Sequence, residues 1–132
     1  MPEQLQVTVV LPGSAERLYS AWLSSEEHAA FTGSSAEIVS SVGGEFSAWD
    51  GYIQGKILLL EPFQRIVQSW RTSDFPSEAP DSQLEITFED DGEQTHLTLN
   101  QSNIPDGQSA EYKQGWVDYY FEPMQAHFSA HK

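Results

Sequence analysis

Cysteine is absent from this 132-residue sequence. Without a thiol there is no disulfide framework, no thiolate metal site and no cysteine nucleophile. Basic residues are scarce as well, since six lysines and arginines stand against twenty aspartates and glutamates, giving a net charge of −14. A surface of this sign repels phosphate backbones and anionic lipid headgroups. The composition therefore argues against nucleic acid and membrane surfaces as partners.

Long apolar segments are also missing. No window approaches the roughly 18 apolar residues of a membrane span. The first residues, 1–13, have neither the basic start nor the apolar centre of a signal peptide, so we expect a cytoplasmic protein. The length fits a single domain over 1–132, and a hydrophobic content of 39% is enough for a packed core.

The beginning of the chain predicts one strand followed by two short helices. Apolar and polar residues alternate over 5–9, which is the period of a half-buried strand, and this strand should end at Pro12. Ser14 is placed to cap a first helix. Ser24, with Glu27 three residues later, has capping-box spacing for a second helix.

The middle of the chain predicts an antiparallel meander. Tight turns that contain glycine, or the proline turn 61–64, separate the predicted strands. These strands cover 37–39, 45–49, 52–60, 65–71, 84–89 and 95–101. Only the connection 72–82 is longer, and we expect it to form a loop at one end of the sheet.

A long helix is predicted near the C-terminus, capped by Asp106 or Ser109 and running to about Phe128. Pro123 removes a backbone hydrogen bond and should bend this helix. Gly115 is expected to let the helix approach a strand closely. Helical spacing predicts one aromatic-rich face that covers the sheet, formed by Tyr112, Trp116, Tyr119, Tyr120, Pro123 and His127.

Four segments are similar to successive blocks of a known family: AFTGSSAEI, VGGEFSAWDGYIQGKILLLEPFQRIVQSWR, LEITFEDDGEQTHLTLNQSNIP and EYKQGWVDYYFEPMQAHF. The sequence resembles the family named for the activator of the ninety-kilodalton heat-shock protein ATPase, within the START-like, SRPBCC or Bet v 1-like superfamily. The resemblance implies an α+β helix-grip fold. In that fold a curved antiparallel β-sheet wraps around a long C-terminal α-helix, and two short helices follow strand 1. The family motifs fall on Gly44 with Phe46, 51–55, 66–71, 103–105 and Gly115–Trp116.

The resemblance also implies a function. It indicates a non-enzymatic binding module that works in protein folding or the stress response. The two-domain eukaryotic member carries a separate N-terminal domain with an activating motif, which has no counterpart in this sequence. We therefore expect weak binding to the 90-kDa heat-shock chaperone with little ATPase stimulation. A small hydrophobic ligand is the other candidate partner; a monomer or weak dimer without a cofactor is expected.

An apolar pocket is expected between the sheet and the long helix. A packed aromatic core is the simpler interpretation of the same residues, and the two are compatible. Trp116, Tyr120 and Met124 would cover the pocket from the helix. Its lining is expected from inward-facing strand positions, namely Phe46, Ile53, Ile57, Ile66, Trp70, Leu84, Ile86, Phe88, Leu97 and Leu99.

The sequence shows no recognisable catalytic or metal-binding motif. His28 and His96 are interpreted as surface residues. His127 and His131 have metal-competent spacing, but two ligands do not make a site. The alternative function is a START-like enzyme, a cyclase or hydrolase acting on a hydrophobic polyketide-like substrate. A buried histidine or glutamate that faces the pocket beside a tyrosine would favour this alternative.

Overall fold

A curved, seven-stranded antiparallel sheet forms the body of the protein in the computed structural model, which describes residues 3–130. The strand order is β1-β7-β6-β5-β4-β3-β2, so the first and last strands of the sequence are neighbours. All six predicted meander strands and the predicted first strand are present. Their bounds are β1 Glu3–Pro12, β2 Ala36–Ile38, β3 Glu45–Ala48, β4 Ile53–Glu61, β5 Arg65–Thr72, β6 Ser82–Asp91 and β7 Gln94–Ile104.

Two short helices connect β1 to β2 at the opposite edge of the sheet: α1 (Ala15–Leu23) and α2 (Ser25–Thr32). Both predicted caps are confirmed. The Ser14 hydroxyl accepts a hydrogen bond from the Arg17 amide at 3.1 Å, and the Ser24 hydroxyl accepts one from the Glu27 amide at 3.2 Å. These bonds satisfy amides that the first turn of a helix leaves unpaired.

The C-terminal helix consists of three consecutive segments: α3 (Ser109–Gly115), a π-helical segment (Trp116–Phe121) and α4 (Glu122–Ala130). The predicted helix is therefore present, and the chain has the helix-grip fold. None of the helices described within residues 3–130 is long and apolar enough to cross a membrane.

The start of the C-terminal helix is capped differently from the prediction. The residue before the helix is Gln108, whose side chain makes no capping bond, so the expectation of a local cap from Asp106 or Ser109 is wrong. The cap comes instead from β1, where the Glu3 carboxylate accepts bonds from the Ser109 amide at 3.1 Å and the Ser109 hydroxyl at 2.6 Å. A carboxylate at a helix start also interacts favourably with the helix dipole.

The hydrophobic core lies between the inner face of the sheet and the helices. The inward residues of β4 to β7 are almost inaccessible to solvent, as the alternating pattern predicts. Gly55 of β4 is required by this packing, because a Cβ there would collide with the Ser69 carbonyl of β5 and the Phe46 ring. The fully buried inward residues are Ile57, Ile66, Leu84, Ile86, Leu97 and Leu99, packed with Met124 and Phe128 of α4.

The long connection after β5 is anchored to the fold. Phe75 is buried and its ring centroid lies 6.1 Å from that of Trp70 and 6.0 Å from that of Tyr112. The Arg71 guanidinium bonds to the Asp81 carboxylate at 2.9 Å. The loop therefore closes one end of the core beneath α3.

Candidate functional site

An open cleft of about 370 Å³ lies between the C-terminal helix and one end of the sheet. The turn between β3 and β4, the start of β4, the end of β5 and the helix itself contribute its walls. Ten residues line it: Trp49, Tyr52, Ile53, Trp70, Glu111, Tyr112, Gly115, Trp116, Tyr119 and Tyr120. Seven of these ten are aromatic, and Glu111 is the charged member of the set.

The π-helical segment shapes one wall of the cleft. The Glu122 amide bonds to the Val117 carbonyl five residues back, and Pro123 follows without an amide hydrogen. The proline thus removes one α-helical donor where the helix adopts the wider turn. The predicted aromatic face is wrong in part, because Tyr119 is 61% exposed at the cleft rim. The buried face beyond the wide turn is formed by Phe121, Met124 and Phe128.

Trp49 forms the opposite wall from an unusual backbone conformation. Its φ is +54°, and Asp50 (+58°) and Gly51 (+87°) continue the same left-handed turn. A bulky residue rarely adopts this conformation, so the surroundings must hold it. The Trp49 amide donates to the Ser35 carbonyl at 3.0 Å, and its ring centroid lies 5.8 Å from that of Tyr119. The turn therefore presents Trp49 to the helix.

Polar groups on four of the cleft aromatics bond to protein rather than to the cleft. The donors and acceptors are Tyr52 to Asp74 at 2.5 Å, Tyr112 to Gln108 at 2.7 Å, Tyr120 to His28 at 2.9 Å and Trp116 to Gln101 at 2.9 Å. Because these donors are used, those side chains offer the cleft mainly the faces and edges of their rings. A ligand here meets π-electron surfaces more than hydrogen-bond donors.

The hydroxyls of Tyr52 and Tyr120 stay protonated. Burial raises the pKa of Tyr120 far above its usual range. Burial, together with the hydrogen bond to Asp74, raises the pKa of Tyr52 to about 12. Neither phenol is therefore activated as a base or nucleophile near neutral pH.

His28 is buried behind the cleft, with only 4% of its surface exposed, so its interpretation as a surface residue is wrong. Its Nδ1 lies 3.0 Å from the Trp22 carbonyl, which only accepts, so Nδ1 carries the proton. Its Nε2 is then the acceptor for the Tyr120 hydroxyl. Burial lowers the pKa of His28 to about 4, which keeps the ring neutral. Tyr120 lies 92 positions along the chain, so no local pattern predicts this pair.

The other described histidines are also paired within the protein. His96 is exposed and bonds to Asp91 at 3.0 Å, which confirms its predicted surface position. The His127 side chain is 15% exposed and bonds to Glu27 at 3.1 Å. His131, its predicted partner in metal-competent spacing, lies outside the described residues. Within 3–130, no group of three potential ligands is placed to hold a metal ion.

The residues predicted to line a pocket separate into two groups. Ile53, Trp70, Trp116 and Tyr120 line the observed cleft, although their binding of a ligand stays a prediction. The others lie in the hydrophobic core and do not line this cleft: Phe46, Ile57, Ile66, Leu84, Ile86, Phe88, Leu97, Leu99 and Met124.

Six cleft residues were not predicted to line a pocket: Trp49, Tyr52, Glu111, Tyr112, Gly115 and Tyr119. The sequence had assigned Tyr112 and Tyr119 to the aromatic face that covers the sheet, and Gly115 to a close approach between helix and strand. Trp49 and Tyr52 flank the tight Asp50-Gly51 turn, and a pair of aromatic residues around such a turn was the available signal. Glu111 carries no distinguishing signal in the sequence.

Gly115 does not have the role that the sequence suggested. A Cβ at this position would meet only the Tyr119 ring, at an ordinary contact distance of 3.8 Å. The expected close approach to a strand is therefore wrong, because the helix leaves space at this point. The missing side chain instead keeps that side of the cleft open.

Comparison with known proteins places these features in a family. Residues 12–129 match the family described as "Activator of Hsp90 ATPase homolog 1-like protein". The chain is 33% identical over 115 residues to the human "Activator of 90 kDa heat shock protein ATPase homolog 1", covering 87% of this chain and 34% of that protein. The chain thus spans about one third of the length of this relative.

Two solved structures share the fold. A crystal structure described as an HSP90 activator from Plasmodium falciparum has a TM-score of 0.88 at 24% identity, covering 96% of both chains. The solution structure of an Aha1 dimer from Colwellia psychrerythraea has a TM-score of 0.78 at 15% identity, covering 94% of this chain and 95% of that one.

Proposed function

Because the chain belongs to the family of activator of Hsp90 ATPase homolog 1-like proteins, we propose that it is a non-enzymatic, co-chaperone-like module that binds a 90-kDa heat-shock chaperone. The single observation that carries this proposal is the extent of the match. It runs over 12–129, from the end of β1 to the end of the C-terminal helix.

The charge distribution supports an electrostatic contribution to chaperone binding. The net charge is −14, and Arg17, Arg65 and Arg71 are each paired with a carboxylate of this chain. Arg65, for example, contacts both Glu61 and Glu85. The surface is therefore strongly acidic and would complement a basic surface on the partner.

The chemistry of the cleft supports a binding role rather than catalysis. A START-like enzyme would need a proton acceptor that faces the substrate in a water-excluded setting. The Glu111 carboxylate lines the cleft, but it is exposed to solvent. His28 is buried beside Tyr120, but it does not line the cleft, and both of its ring nitrogens bond within the protein. The raised pKa of Tyr120 likewise makes its hydroxyl a poor base.

A second candidate function is supported by the cleft itself. Its volume of about 370 Å³ falls within the size range of small-molecule sites, and its walls are mostly aromatic. We propose that it binds a small hydrophobic ligand. This proposal is independent of chaperone binding, and each can hold without the other.

The chaperone proposal is tested by retention and ATPase measurements. Purified 90-kDa chaperone should be retained by the immobilised protein, and its ATPase rate should change little, since the chain corresponds to about one third of the human relative's length. Gly115→Leu is the matched control, because it fills the cleft and leaves every charge in place. We expect Gly115→Leu to retain the chaperone as the wild type does.

The absence of retention at low ionic strength, where acidic surfaces bind best, would contradict the chaperone proposal. ATPase stimulation as large as that produced by a full-length activator would contradict the expectation of little stimulation, but not chaperone binding itself.

A further inference from the structure

We propose that the cleft recognises a hydrophobic cation without hydrogen-bond donors, of the quaternary ammonium class. This inference rests on the proposal that the cleft binds a small hydrophobic ligand, and it adds the charge of that ligand.

The ring surfaces of the cleft favour a cation. Aromatic rings carry negative charge on their faces, so several rings around one space attract a positive group. The rings stand on different elements, with Trp49 on the turn after β3, Trp70 on β5 and Trp116 on the helix. A ligand in the open cleft thus contacts rings on several elements, as a methylated ammonium group does in an aromatic cage.

The polar groups of the cleft argue against a hydrogen-bonding ligand. Tyr52, Tyr112 and Tyr120 donate their hydroxyl hydrogens to Asp74, Gln108 and His28. A sugar, nucleotide or carboxylate could not use these three hydroxyl hydrogens without breaking the bonds that they already make. A quaternary ammonium donates no hydrogen bonds, so it does not need these groups as partners.

The charge around the cleft also selects a cation. Glu111 stands at the cleft, no basic residue within the described range 3–130 lines it, and the whole chain carries a charge of −14. An anion would be repelled by this field, and a neutral ligand would gain nothing from it. Because Glu111 is exposed, its own contribution should be modest and should weaken with salt.

The test is a titration with two probes of the same shape. Benzyltrimethylammonium carries a positive nitrogen where (2,2-dimethylpropyl)benzene carries a neutral carbon. Three of the four tryptophans line the cleft, so quenching of intrinsic fluorescence reports binding. We expect the cation to bind about tenfold more tightly than its neutral isostere at low salt.

Variants test whether the probes bind in the cleft and whether Glu111 contributes to the preference for the cation. Glu111→Gln should weaken binding of the cation about threefold and leave the neutral probe unchanged. Glu122→Gln, an exposed α4 carboxylate outside the cleft, makes the same change in net charge and should leave both probes unchanged. Gly115→Leu should abolish binding of both. A trimethyllysine peptide in a further arm distinguishes a modified protein side chain from a free small molecule as the natural source.

The possible outcomes distinguish failure of this inference from failure of the proposed ligand site and of chaperone binding. If both probes bind equally well, the cleft is a hydrophobic site without charge preference and the inference fails. If neither probe binds, both the inference and the proposed ligand site fail, whereas chaperone binding is unaffected. If Glu122→Gln weakens the cation as much as Glu111→Gln does, the preference comes from overall charge and the cleft is not its origin.

Discussion

The two halves of the C-terminal helix use aromatic residues in opposite ways. In the second half, α4 is closed against the core, where Phe128 is 1% exposed, packs against Phe31 and receives the Arg17 guanidinium over its ring at 5.1 Å. In the first half, α3 and the π-helical segment also pack on the sheet, but one side of them lines the open cleft. One helix thus combines a face that is filled by packing with a face that is available to a ligand.

The boundary between the two halves is the π-helical segment. Trp116 and Tyr120 line the cleft on one side, while on the other side their ring centroids lie 6.4 Å and 5.3 Å from that of Trp22 of α1. Tyr119 lies on the rim. We therefore expect the effect of substitutions on stability to fall from the boundary toward the rim, while effects on ligand binding persist.

Trp116→Ala should have the largest effect on stability. The substitution empties a site that is 3% exposed and leaves the buried Gln101 oxygen without its donor at 2.9 Å. We expect it to lower the free energy of unfolding by about 3 to 5 kcal/mol, measured by chemical denaturation. His127→Ala removes a bond to Glu27 and should lower it by only about 1 kcal/mol. If Trp116→Ala and His127→Ala lowered the free energy of unfolding equally, Trp116 would not be the residue that joins the two halves of the C-terminal helix.

Acid should weaken the fold through His28. Its pKa is about 4 when folded and 6.5 when unfolded, so the unfolded chain binds a proton first as the pH falls. Stability is therefore complete above pH 6.5 and declines toward pH 4, by about 3 kcal/mol in total.

Denaturation at several pH values tests this assignment. His28→Gln should be less stable than the wild type at pH 7 and should show a flatter decline between pH 6.5 and 4. The pKa of Glu27 is lowered: its burial raises the pKa, but hydrogen bonds from Arg17 and His127 together lower it by more. An unchanged slope in His28→Gln would assign the decline to other groups.

The same substitution at two glycines should have opposite effects. Gly55→Ala places a Cβ against the Ser69 carbonyl in the packed sheet and should destabilise the protein by about 1 to 3 kcal/mol. Gly115→Ala points into the open cleft from a helix and should stabilise it by about 0.5 to 1 kcal/mol. Thermal unfolding of both variants measures the difference. If Gly115→Ala is also destabilised, the first half of the helix is more tightly packed than the cleft implies.

Tyr119→Ala should have the smallest effect on stability. The residue is 61% exposed, so the free energy of unfolding should change by less than about 0.5 kcal/mol. Because the Tyr119 ring lines the cleft beside Trp49, binding of the ammonium probe should nevertheless weaken several-fold. If Tyr119→Ala lowered the free energy of unfolding as much as Trp116→Ala does, the Tyr119 ring at the cleft rim would contribute to packing as Trp116 does, and the expected decrease from Trp116 to the rim would be wrong.

The strands of the sheet and the starts of α1 and α2 could be predicted from the sequence far better than the cleft. Alternation of apolar residues in β6 and β7 predicted both strands and their buried faces, and Ser14 and Ser24 predicted the helix starts. These signals are local, because a strand period or a cap needs only a few neighbouring residues.

The cleft depends on contacts between residues that are distant in the sequence, which no local pattern contains. The Glu122 amide bonds five rather than four residues back, and Tyr119, which helical spacing placed on the covered face, is 61% exposed. The burial of His28 depends on the distant Tyr120, and the position of Trp49 depends on a left-handed turn. The candidate cleft therefore required the three-dimensional structure.

Equilibrium binding of the purified 90-kDa chaperone is the most direct test of the proposed function. It is measured by titration calorimetry at low and high salt, with the wild type and Gly115→Leu in parallel. Because the chain carries a charge of −14, the account predicts weak binding at low salt that declines as salt is added, and equal affinity in both proteins. No detectable binding at low salt would contradict the account.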